Sequence, residues 1–151
     1  MKRAGFTMIE LIFVIVILGI LAAVAIPKLA ATRTDAKVSK GASDVATALS
    51  DMGSYYTAQG DFDTVANMTN VKFVTAKDGT VDALATDLSG GATVYFNDST
   101  DTSCLSFTTT ATDGNLTIKS ESNATSECKG LNTAVEKLSK THSFGGSSVS
   151  Y

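Results

Sequence analysis

An uninterrupted apolar run covers residues 6–26 of the chain. About 21 residues at roughly 1.5 Å each are long enough to cross a hydrocarbon layer of about 30 Å as a helix. Lys2 and Arg3 precede the run and predict a cytoplasmic N-terminus. A secretory signal peptide is the alternative, but its apolar core would be shorter and its small-residue cleavage site would follow that core. The pattern favours a membrane anchor.

Beyond Pro27 the apolar positions recur at alternating spacings of four and three residues. They are Val38, Ala42, Val45, Leu49, Met52 and Tyr56. This period predicts an amphipathic helix over residues 28–58, which Gly60 ends. The two segments together predict one long helix, with a transmembrane half and an amphipathic half packed on its own domain.

Three short runs in the second half of the chain alternate apolar and polar positions: residues 92–97, 104–110 and 116–120. Such alternation predicts half-buried antiparallel strands, and Asp113-Gly114-Asn115 predicts a hairpin turn between the last two. Residues 71–76 and 81–88 are each predicted as a short strand or helical turn, and residues 130–140 as a short helix. Residues 142–151 are predicted to be mobile unless Phe144 and Tyr151 hold them. The fold class is therefore α+β, with the long helix on a small antiparallel sheet.

The composition argues against nucleic-acid binding and catalysis. Removing Lys2 and Arg3 from the 12 basic residues leaves 10 against 15 acidic ones, a formal charge of −5 for the rest of the chain. A domain of this sign has no electrostatic footprint for nucleic acid. The single histidine, His142, has no nucleophile arrangement beside it, and no Gly-rich phosphate loop is found. The sequence predicts no enzyme and no cofactor.

Glu10 is the one charged residue within this otherwise apolar run. A carboxylate inside a membrane span costs a few kcal/mol on insertion scales, so such residues usually have a partner or a function. The alternative is that Glu10 lies near enough to the lipid headgroups for its carboxylate to reach water, and that it has no functional role.

The residues from Arg3 to Leu11, Arg-Ala-Gly-Phe-Thr-Met-Ile-Glu-Leu, resemble the class III signal of type IV prepilins and pseudopilins. In that family a short basic leader ends in Gly, Phe usually follows, and Glu is the fifth residue after the cut. The resemblance implies that a prepilin peptidase and methyltransferase cuts between Gly5 and Phe6 and methylates the new amine of Phe6. It also implies that this amine pairs with Glu10 of an adjacent subunit and sets the register between subunits.

The resemblance implies a leader peptide at residues 1–5, a transmembrane and filament-core helix at 6–27, and a pilin globular domain at 28–151. The precursor would lie in the inner membrane and would assemble with copies of itself on an inner-membrane platform. The implied function is a structural subunit of a type IV pilus. A pseudopilin of a type II secretion system in the periplasm, or a minor pilin acting as a tip or adhesion module, is the alternative.

Filaments of this family often unwind the helix between a glycine and a proline placed as Gly19 and Pro27 are, so the resemblance implies a helix break there. A membrane helix that simply ends or bends at Pro27 is the alternative. Cys104 and Cys128 lie in the domain predicted outside the inner membrane, where disulfides form. The pair resembles the C-terminal disulfide of pilins and would close a loop of about 25 residues.

Two further kinds of site are predicted in the globular domain. Asn97, Asp98 and Asp101 are calcium candidates because oxygen-rich loops bind calcium, although their spacing lacks the order of an EF-hand. Asn115 and Asn123 each begin an Asn-x-Thr glycosylation sequence. An acid two positions before each asparagine resembles the extended acceptor of bacterial N-glycosylation systems.

Overall fold

The computed structural model describes residues 5–110 and 113–145, apart from the side chains of residues 27 and 30. Its elements, in chain order, are α1 (Met8–Gln59), α2 (Val65–Met68), β1 (Thr93–Asn97), β2 (Ser103–Thr109), β3 (Asn115–Ser120), α3 (Ser126–Ala134), a 3-10 turn (Glu136–Leu138) and β4 (Thr141–Ser143). The fold is α+β and pilin-like, with a long N-terminal helix packed on a four-stranded antiparallel sheet, as predicted.

Helix α1 is 52 residues long and continues through Gly19 and Pro27. The helix is thus continuous across both residues in the single chain, because a proline removes one hydrogen bond without having to end a long helix. Unwinding within a filament stays a prediction. The chain divides into a unit of residues 1–35 and a unit of residues 36–151. The predicted boundary after residue 27 concerns the end of the membrane span and also stays a prediction.

In the unit of residues 36–151, the amphipathic part of α1 forms one side of the core. Val45, Ala48 and Met52 on this helix are completely buried. Their spacing of three and four residues places them on one face, as the apolar period predicts. Rings from the rest of the unit pack closely in the same core, where the centroids of Phe73 and Phe107 are 4.8 Å apart.

The sheet has the order β1-β2-β3-β4, with every neighbouring pair antiparallel. The three predicted strands are present, and each of their ends lies within one residue of the predicted position. Strands β1 and β3 bury alternate residues, whereas β2 buries residues of both faces. Ser106 on β2 explains part of this difference, because its hydroxyl donates to the carboxylate of Glu121 at 2.6 Å instead of to water.

Three predictions of secondary structure need correction. Residues 71–76 and 81–88 contain isolated bridges, such as Val74 with Asp82, instead of regular elements. Helix α3 begins at Ser126, four residues before the predicted start, because the Thr125 side chain caps it by accepting from the amide of Cys128. His142 and Ser143, at the start of the segment predicted to be mobile, form β4 together with Thr141 and pair with β3. Tyr151 lies outside the described residues.

The half-buried Phe144 explains why the chain after β4 stays on the domain. Its ring lies 6.5 Å from that of Tyr56 and 6.4 Å from that of Phe62, measured between centroids. A Cβ atom at Gly53 would come within 2.6 Å of the same ring, so the glycine leaves the space that Phe144 occupies. Packing of Phe144 on the domain was one of the conditions under which the predicted mobile segment, residues 142–151, would be ordered.

Candidate functional site: the N-terminal motif and the disulfide region

Helix α1 begins two residues after the predicted cleavage point. The amide and the hydroxyl of Thr7 both donate to Oε2 of Glu10, at 2.8 Å and 2.6 Å, and the Glu10 amide donates to the Thr7 hydroxyl at 3.4 Å. This reciprocal pattern is a capping box, which satisfies amides that the first turn of a helix leaves without partners. The carboxylate of Glu10 therefore has an intramolecular partner. This capping role was not predicted from the sequence, although Thr-x-x-Glu at a helix start is its signal.

Apolar side chains are exposed from Phe6 onward and along the whole first part of α1. The large ones are Phe6, Met8, Ile9, Leu11, Ile12, Phe13, Val14, Ile15, Val16, Ile17, Leu18, Ile20, Leu21, Val24, Ile26 and Leu29. Among the described residues, α1 is the one helix long and apolar enough to cross a membrane. Exposed apolar surface of this extent marks a membrane or protein interaction site.

Cys104 and Cys128 form a disulfide, which is the predicted pair. Cys104 lies in β2 and Cys128 in α3, and both are completely buried. Their Cα atoms are 5.0 Å apart, within the range that disulfides span. The bond therefore joins α3 to the second strand of the sheet.

Asp98 lies beside this disulfide and joins the turn between β1 and β2 to the start of α3. Its Oδ1 accepts from the amide and hydroxyl of Thr100, both at 2.7 Å, and from the amide of Thr102 at 3.0 Å. The hydroxyl of Thr125, which caps α3, donates to Oδ2 at 2.6 Å. Burial alone raises the pKa of Asp98, but these hydrogen bonds together outweigh it and lower the pKa below its ordinary value.

Two of the three calcium candidates, Asn97 and Asp98, have side chains engaged in hydrogen bonds of this kind, and the third, Asp101, accepts through its backbone carbonyl. The Asn97 amide group donates to the carbonyl oxygens of Gly79 and Asp101, at 2.8 Å and 3.2 Å, and its Oδ1 accepts from the Ser103 hydroxyl at 2.7 Å. Both oxygens of Asp98 are also acceptors. Calcium would therefore have to replace existing hydrogen bonds, and its binding stays a prediction. The two sulfurs near Asp98 supply no metal ligand either, because a disulfide has no thiolate.

The remaining candidate residues lie apart from one another. Asn115 is half-buried at the start of β3, where it pairs with Ser143 of β4. Asn123 is exposed in the loop between β3 and α3, and its Oδ1 accepts from the amide group of Asn132 at 3.0 Å. The Nε2 atom of His142 is 2.9 Å from the carbonyl oxygen of Leu138. Glycosylation of either asparagine stays a prediction.

We expect the unit of residues 36–151 to lose stability below about pH 4. The pKa of Glu121 is lowered by the Ser106 hydroxyl and the Lys77 ammonium, and that of Asp98 by its hydrogen bonds. Carboxylates of this kind contribute stability that is complete above their unfolded pKa, near 4, and that is lost as the pH falls through the lower folded values. Calorimetry of the detergent-solubilised chain at pH 7, 4, 3 and 2 measures the loss.

Asp98→Asn is the matched control for this pH dependence. It removes one titrating group and should lower stability at pH 7 by about 1–3 kcal/mol, because an amide cannot accept as many hydrogen bonds. The difference in stability between pH 7 and pH 2 should then be smaller than in the unaltered protein. An equal or larger difference would contradict the role assigned to the Asp98 carboxylate.

A family model described as the prokaryotic N-terminal methylation motif matches residues 1–26. No curated protein and no solved structure matches the chain. The match covers the cleavage point, Glu10 and the apolar run, which are the residues that the resemblance to prepilins quoted.

The matched motif and the fold define a class of protein. A prepilin-type class III signal is the N-terminal signal of the type IV pilin and pseudopilin family, and this chain has that signal on a pilin-like α+β fold. The motif and the long apolar helix together fit a membrane-anchored precursor that is processed by a prepilin peptidase.

Proposed function

We propose that this chain is a structural subunit of a type IV pilus, cut between Gly5 and Phe6 and polymerised through the first part of α1. The methylation motif at residues 1–26 is the observation that carries the proposal. The exposed apolar side chains support it, because they require lipid before assembly and other subunits afterwards. The protein acts by assembly and not by catalysis.

Cleavage supplies the charge that assembly uses. The new amine of Phe6 is a cation at the edge of an apolar helix, and Glu10 is the acid four residues away. Between subunits in a filament core of low dielectric constant, the two charges attract much more strongly than in water. Each is costly to bury without the other, so the pair fixes the axial register of neighbouring subunits.

The disulfide favours a pilus over a secretion pseudopilus. It fastens α3 to β2 near the C-terminal end of the described chain, the arrangement that the resemblance to pilins implies. Shearing surface fibres and identifying their main protein tests this choice. Abundant recovery along the fibres supports a major pilin. Recovery in traces indicates a minor pilin, and recovery only in a periplasmic secretion assembly indicates a pseudopilin.

A Gly5→Val variant should stay unprocessed in the membrane, because the leader of the prepilin family, which this chain resembles, ends in Gly at the cut. A Cβ atom at Gly5 meets no atom within 4 Å, so the substitution does not disturb the fold. Intact mass of the purified protein should show residues 1–5 retained, whereas the unaltered protein begins at methylated Phe6. Gly19→Val is the matched control, since Gly19 is equally open, and it should be cut normally. A mature chain beginning at any other residue contradicts the proposal.

A further inference from the structure

Cations lie on both sides of the apolar run. Lys2 and Arg3 precede it, and Lys28 and Arg33 follow it. The proposed cleavage removes the first pair and leaves the amine of Phe6 as the cation on that side. The second pair remains, so processing moves the balance of positive charge to the side of the membrane that carries residues 36–151.

Lys28 and Arg33 are free to bind a partner. Both are exposed, and neither belongs to an ion pair among residues 5–110 and 113–145. The next two cations along α1 differ, because Lys37 pairs with Glu127 and Lys40 with Asp44. The acid nearest to Arg33 in the sequence is Asp35, and residues two apart on a helix do not face one another.

With the hydrocarbon boundary placed at Ile26, Lys28 falls within the lipid headgroup layer, and Arg33 lies just beyond it, within reach of the phosphates through its long side chain. Along the helix axis Lys28 is about 3 Å and Arg33 about 10 Å beyond Ile26, and the headgroup layer is roughly 5–8 Å thick on each side of the bilayer. Leu29 between them is 70% exposed and apolar. The hydroxyl of Thr32 donates to the carbonyl oxygens of Lys28 and Leu29, at 3.1 Å and 3.0 Å, so it is satisfied without water. The segment is thus suited to a membrane boundary, where long cationic side chains extend toward the phosphates.

We propose that Lys28 and Arg33 bind the phosphate groups of anionic phospholipids in the leaflet on the side of residues 36–151. The inference rests on the proposed membrane span, and charge complementarity carries it: two cations that have no ion-pair partner among the described residues lie within side-chain reach of the lipid phosphates. After the leader is removed, this pair is the electrostatic contact that holds the subunit at its depth in the bilayer. The lipid composition of that leaflet therefore affects how readily a subunit leaves the membrane for the filament.

Lipid selectivity of the processed full chain tests the proposal. The protein is reconstituted into phosphatidylcholine vesicles, and its association with spin-labelled phosphatidylglycerol and spin-labelled phosphatidylcholine is compared. We expect a preference of about fivefold for phosphatidylglycerol at low salt, decreasing as salt screens the charges. Lys28→Gln/Arg33→Gln should reduce the preference to nearly one.

Two control variants make the result specific. Lys72→Gln/Lys129→Gln removes the same charge from exposed residues of the other unit and should leave the preference unchanged. Lys28→Arg/Arg33→Lys preserves both charges and should also preserve it.

The possible failures are distinguishable. A chain that floats with the vesicles but associates equally with both lipids overturns the lipid contact alone. A preference that persists in Lys28→Gln/Arg33→Gln overturns it as well. If the unaltered chain shows no preference and the double variant forms fewer filaments, the cations contact a second copy instead. A chain that does not float with vesicles overturns both this inference and the proposed membrane span.

Discussion

A Glu10→Ala variant is expected to be cut and inserted like the unaltered protein but to give at least tenfold less filament. In the proposed assembly, Glu10 neutralises the amine of Phe6 on a neighbouring subunit. Leaving one charge of a buried pair without its partner costs about 3–5 kcal/mol, and every 1.4 kcal/mol is a factor of about ten in an equilibrium constant. Immunoblots of sheared fibres and of membranes measure assembly and processing separately.

The capping box provides a way to separate two roles of Glu10. Glu10→Ala removes both the acceptor of the Thr7 hydrogen bonds and the charge. Glu10→Gln retains an acceptor suited to a capping box but has no charge. Thr7→Ala removes the capping hydroxyl and leaves the carboxylate, at a cost of about 1 kcal/mol in helix stability.

If the charge of Glu10 controls assembly, Glu10→Gln should fail as severely as Glu10→Ala, while Thr7→Ala should assemble at nearly the normal level. The reverse result, with Glu10→Gln assembling and Thr7→Ala failing, would mean that helix capping is the requirement. Normal filaments from all three variants would remove the role of Glu10 in register.

The capping box also bears on the subunit before assembly. Burying an acid in a membrane span is energetically unfavourable when the acid has no partner. The amide and hydroxyl of Thr7 are hydrogen-bond partners of Glu10 within the same chain. Assembly would then exchange these bonds for the amine of a neighbouring subunit.

The sequence predicts those parts of the fold in which burial follows a simple period. The stripe containing Val45 and Met52 has the helical period, and Leu116 and Ile118 alternate along β3, so both elements were predicted from spacing alone. The disulfide was predicted from the expected compartment and from the resemblance to pilins. The apolar periods involve residues close in sequence, and the disulfide involves a single pair of residues, so both kinds of feature can be predicted from the sequence.

Contacts that depend on distant residues were missed. Strand β4 has the sequence Thr-His-Ser, which has no apolar alternation, and it forms because β3 offers a free edge with Leu116 opposite His142. The position of Asp98 against Thr125 joins residues 27 apart in the chain, and no spacing rule indicates it. Helix α3 begins earlier than predicted for the same reason. The Thr125 hydroxyl donates to Asp98 and also accepts from the Cys128 amide, so it caps the helix at this point.

A Cys104→Ala/Cys128→Ala variant should be less stable by about 3 kcal/mol, with a midpoint of thermal unfolding lower by roughly 10 °C. The disulfide joins residues 24 apart in sequence, so its loss frees a loop of that size in the unfolded chain. It also removes the covalent link between α3 and β2 in the folded chain. Calorimetry of the detergent-solubilised protein without reductant measures the change.

The reduced form of the unaltered protein is the control that separates the bond from the side chains. Both cysteines are completely buried, so replacing them with alanine also leaves small cavities. The unaltered protein in reductant should therefore lose slightly less stability than the double variant, and the variant should not respond to reductant. Equal midpoints for the oxidised protein and the double variant would show that the hydrogen bonds from Thr125 to Asp98 and from the Cys128 amide to Thr125 hold α3 without the bond.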